Sequence, residues 1–311
     1  MNSQLLQEFQ RVTEMTAISC YSWVGKGNMF SADKAAVDVM RRELNLLPIS
    51  AKIVIGEGER DNAPMLYIGE NLGKGGDYIE IAVDPLECTT MCAKYGFGAM
   101  SVMAVSSKGS FLCAPDLYMK KIATGKIYPK DIVDINKSIR KNIENLADFK
   151  KCTTDSIVVM VLERDRHKLL LEDIRKTGAR IKLINDGDIA GIIRTVSMNN
   201  DIDMYVGIGG APEGVLAAAA LKTLGGQMQA KLLFSTELQM ERSKLMGIKN
   251  RDKIYQIDDL VKNEVIFFAT GVTDGYLVDG VKKTHNNKFT THTLVLNSRT
   301  KTVHKIKTGT L

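Results

Sequence analysis

The second half of the chain alternates short apolar stretches with segments of helical periodicity, and this alternation constrains the fold more than any other feature. Strands are predicted at 156–162, 179–184, 203–207 and 264–270. Helices are predicted at 166–177, 187–196, 212–223 and 235–246. Such alternation is typical of an α/β layer, because each crossover helix returns the chain to pair the next strand in parallel.

The first half mixes helices with strands that favour a largely antiparallel sheet. Helices are predicted at 3–16 and 33–46, and Ser31 is the expected N-cap of the second, which places Asp33 in its first turn. The apolar stretch 97–105 is predicted to pair with 109–113 as a hairpin.

Three further expectations complete this organisation. A strand at 53–55 is followed by a helix beginning near Ala63, and residues 290–308 predict two strands that form an exposed edge. We therefore predict an α/β protein of two domains. An N-terminal α+β domain spans 1–152 and a C-terminal α/β domain spans 153–311.

The composition is that of an ordinary globular protein and excludes several function classes. Aromatic residues make up only 6% of the chain, which argues against a nucleic-acid stacking platform. No stretch approaches transmembrane length, and the acidic, amphipathic first 15 residues do not predict a signal peptide. Five cysteines without a CxxC pair predict neither disulfides nor zinc, so we expect a cytoplasmic protein.

The formal charge of +6 is spread along the chain, with local runs at Lys120–Lys121 and 301–307. Most of these residues are expected on a solvated surface. A mild positive excess also favours an anionic small substrate through long-range attraction.

The stretch IEIAVDPLECTT, residues 79–90, carries the strongest chemical signal. A buried strand delivers Asp84 and Glu87 to its end, Pro85 between them forces a turn, and Thr89 follows. Two carboxylates on a rigid turn can share a hard cation, and an adjacent hydroxyl can hold a water molecule beside it. This arrangement indicates metal-assisted hydrolysis.

Other acidic residues stand where strands or helices begin or end. Asp33 opens a helix, Glu57 and Glu59 follow a strand in IGEGER, and Glu213 opens a helix in GIGGAPEG. A single acidic loop residue is more often merely solvated. Several of them, flanked by Gly or Pro, predict ligands for Mg²⁺ or Mn²⁺ that bridge to a substrate phosphate.

Three strand ends in the second half are candidates for binding a sugar phosphate. The segment 207–214, GIGGAPEG, meets neither the dinucleotide fingerprint nor Walker A, and a tight turn and a phosphate cradle are equally consistent with it. The segment 185–188, NDGD, predicts a turn with an N-cap or acceptors for sugar hydroxyls. The segment 163–167, ERDRH, predicts either a basic surface or a site for a second phosphate.

Together these motifs resemble one family, class II fructose-1,6-bisphosphatase, within the lithium-sensitive, metal-dependent sugar and inositol phosphatases. The resemblance runs from about residue 11 to 303. It rests on GKGNMFSADKAAVDVMR (25–41), IGEGERDNAPMLYIGE (55–70), AVDPLECTT (82–90), APDLYMKKIA (114–123), RDRH (164–167), NDGDIA (185–190), GIGGAPEGV (207–215) and ATGVTDG (269–275). The resemblance implies a layered αβαβα sandwich and a homodimer or homotetramer.

The resemblance also implies roles for individual residues. The metal ligands, for Mn²⁺ or Mg²⁺, would be Asp33, Glu57, Asp84, the Leu86 carbonyl, Glu87 and Glu213. The catalytic residues would be Thr89, Asp33 and Glu57. Asp33 would form a hydrogen bond with Thr89, and Thr89 would orient the attacking water. The sugar bisphosphate would contact Glu87, Cys88, Thr89, Tyr118, Arg164, Arg166, His167, Asp186, Gly187, Asp188 and Gly210.

The implied activity is hydrolysis of the 1-phosphate of fructose-1,6-bisphosphate to fructose 6-phosphate in gluconeogenesis. Alternatives are sedoheptulose-1,7-bisphosphate or another sugar or inositol phosphate as substrate, and a catalytically weak sugar-phosphate-binding protein. The expected partner is thus a small sugar bisphosphate, with neither nucleic acid nor membrane.

Cys88 departs from the family pattern, which usually has Gly at this position. Glycine permits a positive φ or the close approach of a phosphate, so either the backbone here tolerates a side chain or substrate approach is altered. We predict that activity is retained, because the acidic positions and Thr89 are present. A further hypothesis is that the thiol confers sensitivity to oxidants.

Overall fold

The computed structural model describes residues 3–58, 65–113, 115, 117–196, 201–284, 286 and 288–309. Contacts divide the chain into two compact units. The first consists of Met1–Cys113 and Val261–Leu311, and the second is Ala114–Leu260. The sequence-based boundary between residues 152 and 153 coincides with neither division point.

Strands and helices are numbered in chain order across both units. The strands are β1 (Ile49–Ile55), β2 (Asn71–Leu72), β3 (Asp77–Glu87), β4 (Met100–Ser106), β5 (Tyr118–Thr124), β6 (Val158–Leu162), β7 (Arg180–Ile184), β8 (Met204–Gly210), β9 (Gln227–Leu233), β10 (Tyr255–Gln256), β11 (Val265–Gly271), β12 (Lys282–Lys283), β13 (Phe289–Asn297) and β14 (Thr302–Gly309). The α-helices are α1 (Ser3–Tyr21), α2 (Met29–Leu46), α3 (Thr89–Ala93), α4 (Ile139–Lys150), α5 (Lys168–Arg175), α6 (Asp188–Arg194), α7 (Ala211–Leu224), α8 (Glu237–Leu245) and α9 (Ile257–Leu260). Short 3₁₀ helices lie at Thr154–Ser156 and Asp165–His167.

The first unit is built on one mixed sheet in the order β12–β13–β11–β4–β3–β1–β2, with β14 paired to β13. Strands β1 and β3 are parallel, and the other pairs are antiparallel. Helices α1 and α2 contribute Phe9 and Met40 to a buried cluster with Ile53, Ile81 and Phe268 of the sheet. Removing this apolar surface from water is the main force that holds the helices on the strands.

The second unit is built on a mixed sheet in the order β10–β9–β5–β8–β6–β7. Strand β6 pairs in parallel with β7 and β8, whereas β5 is antiparallel to both of its neighbours. The α7 helix is buried along most of its length, and Pro212 lies in its first turn, where no backbone donor is lost. The predicted α/β class is therefore confirmed.

The strands predicted at 156–162, 179–184 and 203–207 are confirmed as β6, β7 and β8, and they are parallel. The prediction that 264–270 joins this layer is wrong. That segment is β11, which lies antiparallel between β4 and β13 in the first unit's sheet. Its run of apolar residues is buried in either setting, so periodicity alone does not distinguish the two sheets.

The predicted hairpin between 97–105 and 109–113 is also wrong. Strand β4 pairs with β3 and β11, and Phe111 instead forms an isolated bridge with Val261. The buried Glu80 carboxylate accepts the N–H groups of Gly109 and Ser110 at 2.8 and 3.0 Å. These bonds hold the turn after β4 and direct the chain away from a hairpin.

Helix α2 begins earlier than predicted, at Met29. Its N-cap is Asn28 rather than Ser31, because the Asn28 side chain accepts the Ser31 N–H at 2.9 Å. Asp33 therefore lies in the second turn. The expected helix near Ala63 falls outside the described residues, as does the side chain of Glu59.

The two strands predicted over 290–308 are confirmed as β13 and β14, and β14 pairs only with β13 among the described strands. Strands β5 and β9 were not predicted. Among the residues described, none of the helices combines the length and hydropathy needed to span a bilayer.

Candidate functional site

The acidic turn after β3 is shaped by a bulge. Asp84 pairs with Val102 and Glu87 with Met100, so the four residues from Asp84 to Glu87 oppose only three on β4. Side chains an odd number of residues apart normally point to opposite faces of a strand, and one extra residue returns them to the same face. A carboxylate oxygen of Asp84 accordingly lies within 4.8 Å of one of Glu87.

Glu57 follows the strand that pairs in parallel with β3. Ile55 is registered with Ala82, so Glu57 and Asp84 each stand two residues beyond this pair. The ends of adjacent parallel strands meet at one edge of a sheet, where α/β proteins place ligands. The Glu57 N–H donates to the Leu66 carbonyl at 3.0 Å, and a Cβ on Gly56 would overlap that carbonyl oxygen.

Thr89 begins α3 directly after the acidic turn. Its hydroxyl donates to the Leu86 carbonyl at 3.0 Å, whereas the bond to Asp33 stays a prediction. The Leu86 oxygen keeps a second lone pair for another partner. Burial raises the pKa of the Asp33 carboxyl, an effect that a nearby cation would oppose.

In the second unit, two carboxylates lie against the end of β8. Gly210 is the N-cap of α7, and Glu213 occupies the first turn of that helix. A Cβ on Gly209 would overlap the Asp188 carboxylate, and a Cβ on Gly210 would overlap that of Glu213. The glycines of GIGG therefore let carboxylates approach the backbone, a role that neither sequence interpretation of this segment included.

The side chain of Lys121 is the functional candidate that sequence reasoning missed. Most lysines are expected on a solvated surface, yet the relative exposure of Lys121 is 0%. Its ammonium group forms an ion pair with Asp188 and donates to the Gly210 carbonyl at 2.8 Å. Met119 and Lys121 are buried on one face of β5, but the adjacent Lys120 obscures this alternation in the sequence YMKKIAT.

Two arginines, Arg164 and Arg166, follow the end of β6. Arg164 donates to Asp186 at 2.9 Å, and burial raises the pKa of that carboxyl despite the attraction of Arg164. Arg166 donates through Nε to the Ile208 carbonyl at 2.9 Å and lies 4.9 Å from the centre of the Tyr118 ring. This stacking holds the planar guanidinium while its outer edge faces solvent.

Comparison with known proteins identifies the family. The model of the bacterial, glpX-encoded fructose-1,6-bisphosphatases matches residues 3–310. The chain belongs to the class 2 fructose-1,6-bisphosphatases. A relative of that name from Haemophilus influenzae is 40% identical over 322 residues, covering 99% of this chain and 96% of the relative.

Two other class 2 relatives show a similar level of identity. Fructose-1,6-bisphosphatase 1 class 2 from Escherichia coli is 39% identical, with coverage of 99% of this chain and 95% of the relative. A D-fructose 1,6-bisphosphatase class 2/sedoheptulose 1,7-bisphosphatase from Trichodesmium erythraeum is 40% identical over 334 residues, with coverage of 99% and 96%. The family resemblance drawn from the motifs is therefore confirmed.

His167 does not fit the phosphate-binding role expected for it in a class 2 enzyme. The ring is buried, its Nδ1–H donates to the Leu162 carbonyl at 2.8 Å, and Nε2 accepts the Ile208 N–H at 2.8 Å. Burial lowers its pKa, which favours the neutral ring. Both nitrogens are therefore occupied by backbone, and His167 joins β6 to β8 instead of facing a phosphate.

Cys88 adopts the backbone conformation expected of the glycine usual in this family. Its φ is +65° and its ψ is +48°, in the left-handed region, and the residue is only 7% exposed. The turn into α3 thus keeps the glycine geometry with a cysteine in place. Sensitivity of this thiol to oxidants stays a prediction, and its low exposure limits access of a reagent.

Proposed function

We propose that this class 2 enzyme hydrolyses the 1-phosphate of fructose-1,6-bisphosphate to give fructose 6-phosphate and phosphate, as in gluconeogenesis. The observation that carries the proposal is the pair of carboxylates, Asp84 and Glu87, brought within 4.8 Å by the bulge in β3 beside Thr89. A homodimer or homotetramer is proposed from the resemblance alone, and a cytoplasmic location is proposed from five cysteines without a CxxC pair.

The donor set fits a hard divalent cation, Mn²⁺ or Mg²⁺. All of the donors are oxygens, as these ions prefer, and a carboxylate oxygen of Asp84 lies within 4.8 Å of one of Glu87. The proposed ligands are Asp33, Glu57, Asp84, the Leu86 carbonyl, Glu87 and Glu213. When bound, the metal would polarise the phosphate and lower the pKa of a coordinated water.

Thr89 is proposed to hold the attacking water. Thr89 is half-buried at the start of α3, and its hydroxyl would exchange the Leu86 carbonyl for Asp33 as its acceptor. Asp33 would accept the Thr89 proton in a hydrogen bond, leaving the Thr89 oxygen to accept from the water. Phosphoryl transfer depends chiefly on such positioning and on charge stabilisation.

Side chains of the second unit are proposed to bind the sugar phosphate. Arg164 and Arg166 would neutralise the 6-phosphate, and the Tyr118 ring would hold the Arg166 guanidinium that lies over it. Asp186 and Asp188 would accept sugar hydroxyls. The remaining proposed contacts are Glu87, Cys88, Thr89, Gly187 and Gly210.

Activity on sedoheptulose-1,7-bisphosphate is the second candidate. It is favoured by the names of relatives from Trichodesmium erythraeum and Synechocystis, which are bifunctional and are each 40% identical to this chain. Values of kcat/KM measured on both bisphosphates distinguish the candidates. A ratio near one supports a bifunctional enzyme.

The proposal predicts metal-dependent release of phosphate from fructose-1,6-bisphosphate. We expect no release in EDTA and recovery on addition of Mn²⁺ or Mg²⁺, measured by a colorimetric phosphate assay. Thr89→Ala should lower kcat at least ~100-fold with KM little changed, because it removes a group that acts on the reacting water.

Thr90→Ala is the matched control, because the Thr90 hydroxyl contacts the Met29 sulfur rather than the acidic turn. This variant should retain kcat within about threefold. Purified protein that releases no phosphate with either metal would overturn the proposed function. Unchanged turnover in Thr89→Ala would remove Thr89 from the mechanism.

A further inference from the structure

Lys121 is a fully buried lysine that the proposed chemistry does not use. It lies in β5, between β8 and β9, and forms an ion pair with Asp188. The second oxygen of Asp188 accepts the hydroxyl of Tyr205, which is also buried. Burying an ammonium group is costly unless it is paired and hydrogen-bonded, so the contacts of this group account for its burial.

Small residues make room for Lys121 beneath the GIGG turn. A Cβ on Gly209 would lie 3.0 Å from the Lys121 ammonium nitrogen, and a Cβ on Gly214 would lie 3.4 Å from its Cδ. The lysine stem thus passes under the start of α7, and its charged end stops between Asp188 and the Gly210 carbonyl. Glycines at the end of β8 and in the first turn of α7 therefore leave the space that the Lys121 side chain fills.

Stability alone does not explain a charge at this position. Well-packed apolar residues often replace a buried ion pair at no cost in stability. The two groups that Lys121 touches, Asp188 and the Gly210 carbonyl, belong to the residues proposed to contact the sugar phosphate. The charge therefore acts on the substrate-binding end of the unit.

We propose that Lys121 is a positioning residue for sugar-phosphate binding. Its ammonium group fixes the Asp188 carboxylate and the Gly210 carbonyl in the orientation in which they accept hydrogen bonds from the sugar hydroxyls. This inference rests on the proposed function, because it assumes that Asp188 and Gly210 face the substrate.

Lys121→Met tests the inference, because methionine keeps the unbranched stem and removes the charge. The dissociation constant of fructose 6-phosphate, measured by calorimetry, should rise at least about tenfold. KM for fructose-1,6-bisphosphate should rise by a similar factor, and kcat should change less than KM. A purely structural role would lower the melting temperature without this division between KM and kcat.

Lys120→Met is the matched control. Lys120 is the preceding residue on β5, points to the opposite face, and donates to the Ile135 carbonyl at 2.8 Å. This variant should bind fructose 6-phosphate within about twofold of the unaltered protein.

A double-mutant cycle with Asp188→Asn keeps the test decisive even where Lys121→Met alone does not fold. The double variant carries no unpaired buried charge at this position. If Lys121 acts through Asp188, the double variant should bind fructose 6-phosphate no more weakly than Asp188→Asn alone. A further tenfold loss, or a folded Lys121→Met variant with unchanged affinity, would overturn the inference.

Failure of the proposed function has a different signature. In that case the unaltered protein neither binds fructose 6-phosphate nor releases phosphate from the bisphosphate, and both proposals fall together. Binding and turnover in the unaltered protein with no effect of Lys121→Met leaves the function standing and removes only the role of Lys121.

Discussion

At the scale of single residues, Cys88 shows how a local exception is accommodated. A non-glycine residue in the left-handed region costs roughly 1–2 kcal/mol, and Cys88 occupies that region at a φ of +65°. The residue is buried in a cluster with Cys20 and Cys92, and contacts with this cluster offset part of the cost. The acidic turn therefore keeps its backbone conformation although cysteine replaces the usual glycine.

This strain predicts that glycine is more stabilising than alanine at position 88, the reverse of their order inside a helix. Cys88→Gly should be more stable than Cys88→Ala by about 1 kcal/mol, because only glycine relieves the positive φ. The free energy of unfolding in urea measures the difference. Activity on fructose-1,6-bisphosphate should be retained in Cys88→Gly.

Cys92 is the matched control, four residues further along in α3, where it is fully buried without a positive φ. At this position the ordinary helical order should hold, with Cys92→Ala more stable than Cys92→Gly by about 0.5–1 kcal/mol. The same order at both positions would show that φ at residue 88 carries no strain.

At the scale of elements, His167 joins two parallel strands at the end where the arginines stand. It follows β6 and accepts the N–H of Ile208 in β8, so the ring holds the 163–167 turn against β8. Arg166 also donates to the Ile208 carbonyl. The neutral ring therefore supports the placement of Arg166 from within the core.

The lowered pKa of His167 predicts loss of stability in acid. Below the ordinary histidine pKa of about 6.5, the unfolded chain takes up a proton that the folded ring resists, so stability falls as pH falls. The stability contributed by the neutral His167 ring is fully present above that pH. Below it, the free energy of unfolding changes by at most about 1.4 kcal/mol per pH unit for one titrating group.

The comparison is with His167→Gln, which does not titrate. The free energy of unfolding of the unaltered protein should exceed that of His167→Gln by about 1 kcal/mol less at about pH 5.5 than at about pH 7.5. A difference independent of pH at residue 167 would contradict the predicted titration.

At the scale of the whole molecule, the chain leaves its first unit and returns to it. The strands of the second unit's sheet all fall between residues 118 and 256. Strand β11 then returns to pair with β4 of the first unit, and β13 and β14 extend that sheet from β11. A cut at residue 152 separates β5 from β8 and β9 and also separates β4 from β11. Neither sequence-based half contains a complete sheet.

This organisation predicts which fragments fold. Residues 114–260 expressed alone should unfold cooperatively on heating, followed by circular dichroism, because their sheet and its buried cluster are complete. Fragments 1–152 and 153–311 should show no cooperative transition. Cooperative unfolding of 153–311 would instead support the boundary drawn from the sequence.

Much of the architecture and of the acidic site was predictable because it depends on local sequence patterns. Strands β6, β7 and β8 follow from apolar periodicity, and the Asp84–Glu87 turn follows from a strand that ends in DPLE. Strand β5 was not predictable in this way, because adjacent lysines at positions 120 and 121 obscure its alternation.

The sequence by itself determined the α/β class, the family and the identity of the residues that end its strands, because these depend on short-range pattern and residue chemistry. Only the tertiary structure decided that 265–271 joins the first unit's sheet, that Lys121 is buried against Asp188, and that both nitrogens of His167 bind backbone. Each of these outcomes includes at least one pairing between residues far apart along the chain. Local periodicity specifies that a segment is buried, and the partner is selected by the long-range pairing of strands and charges.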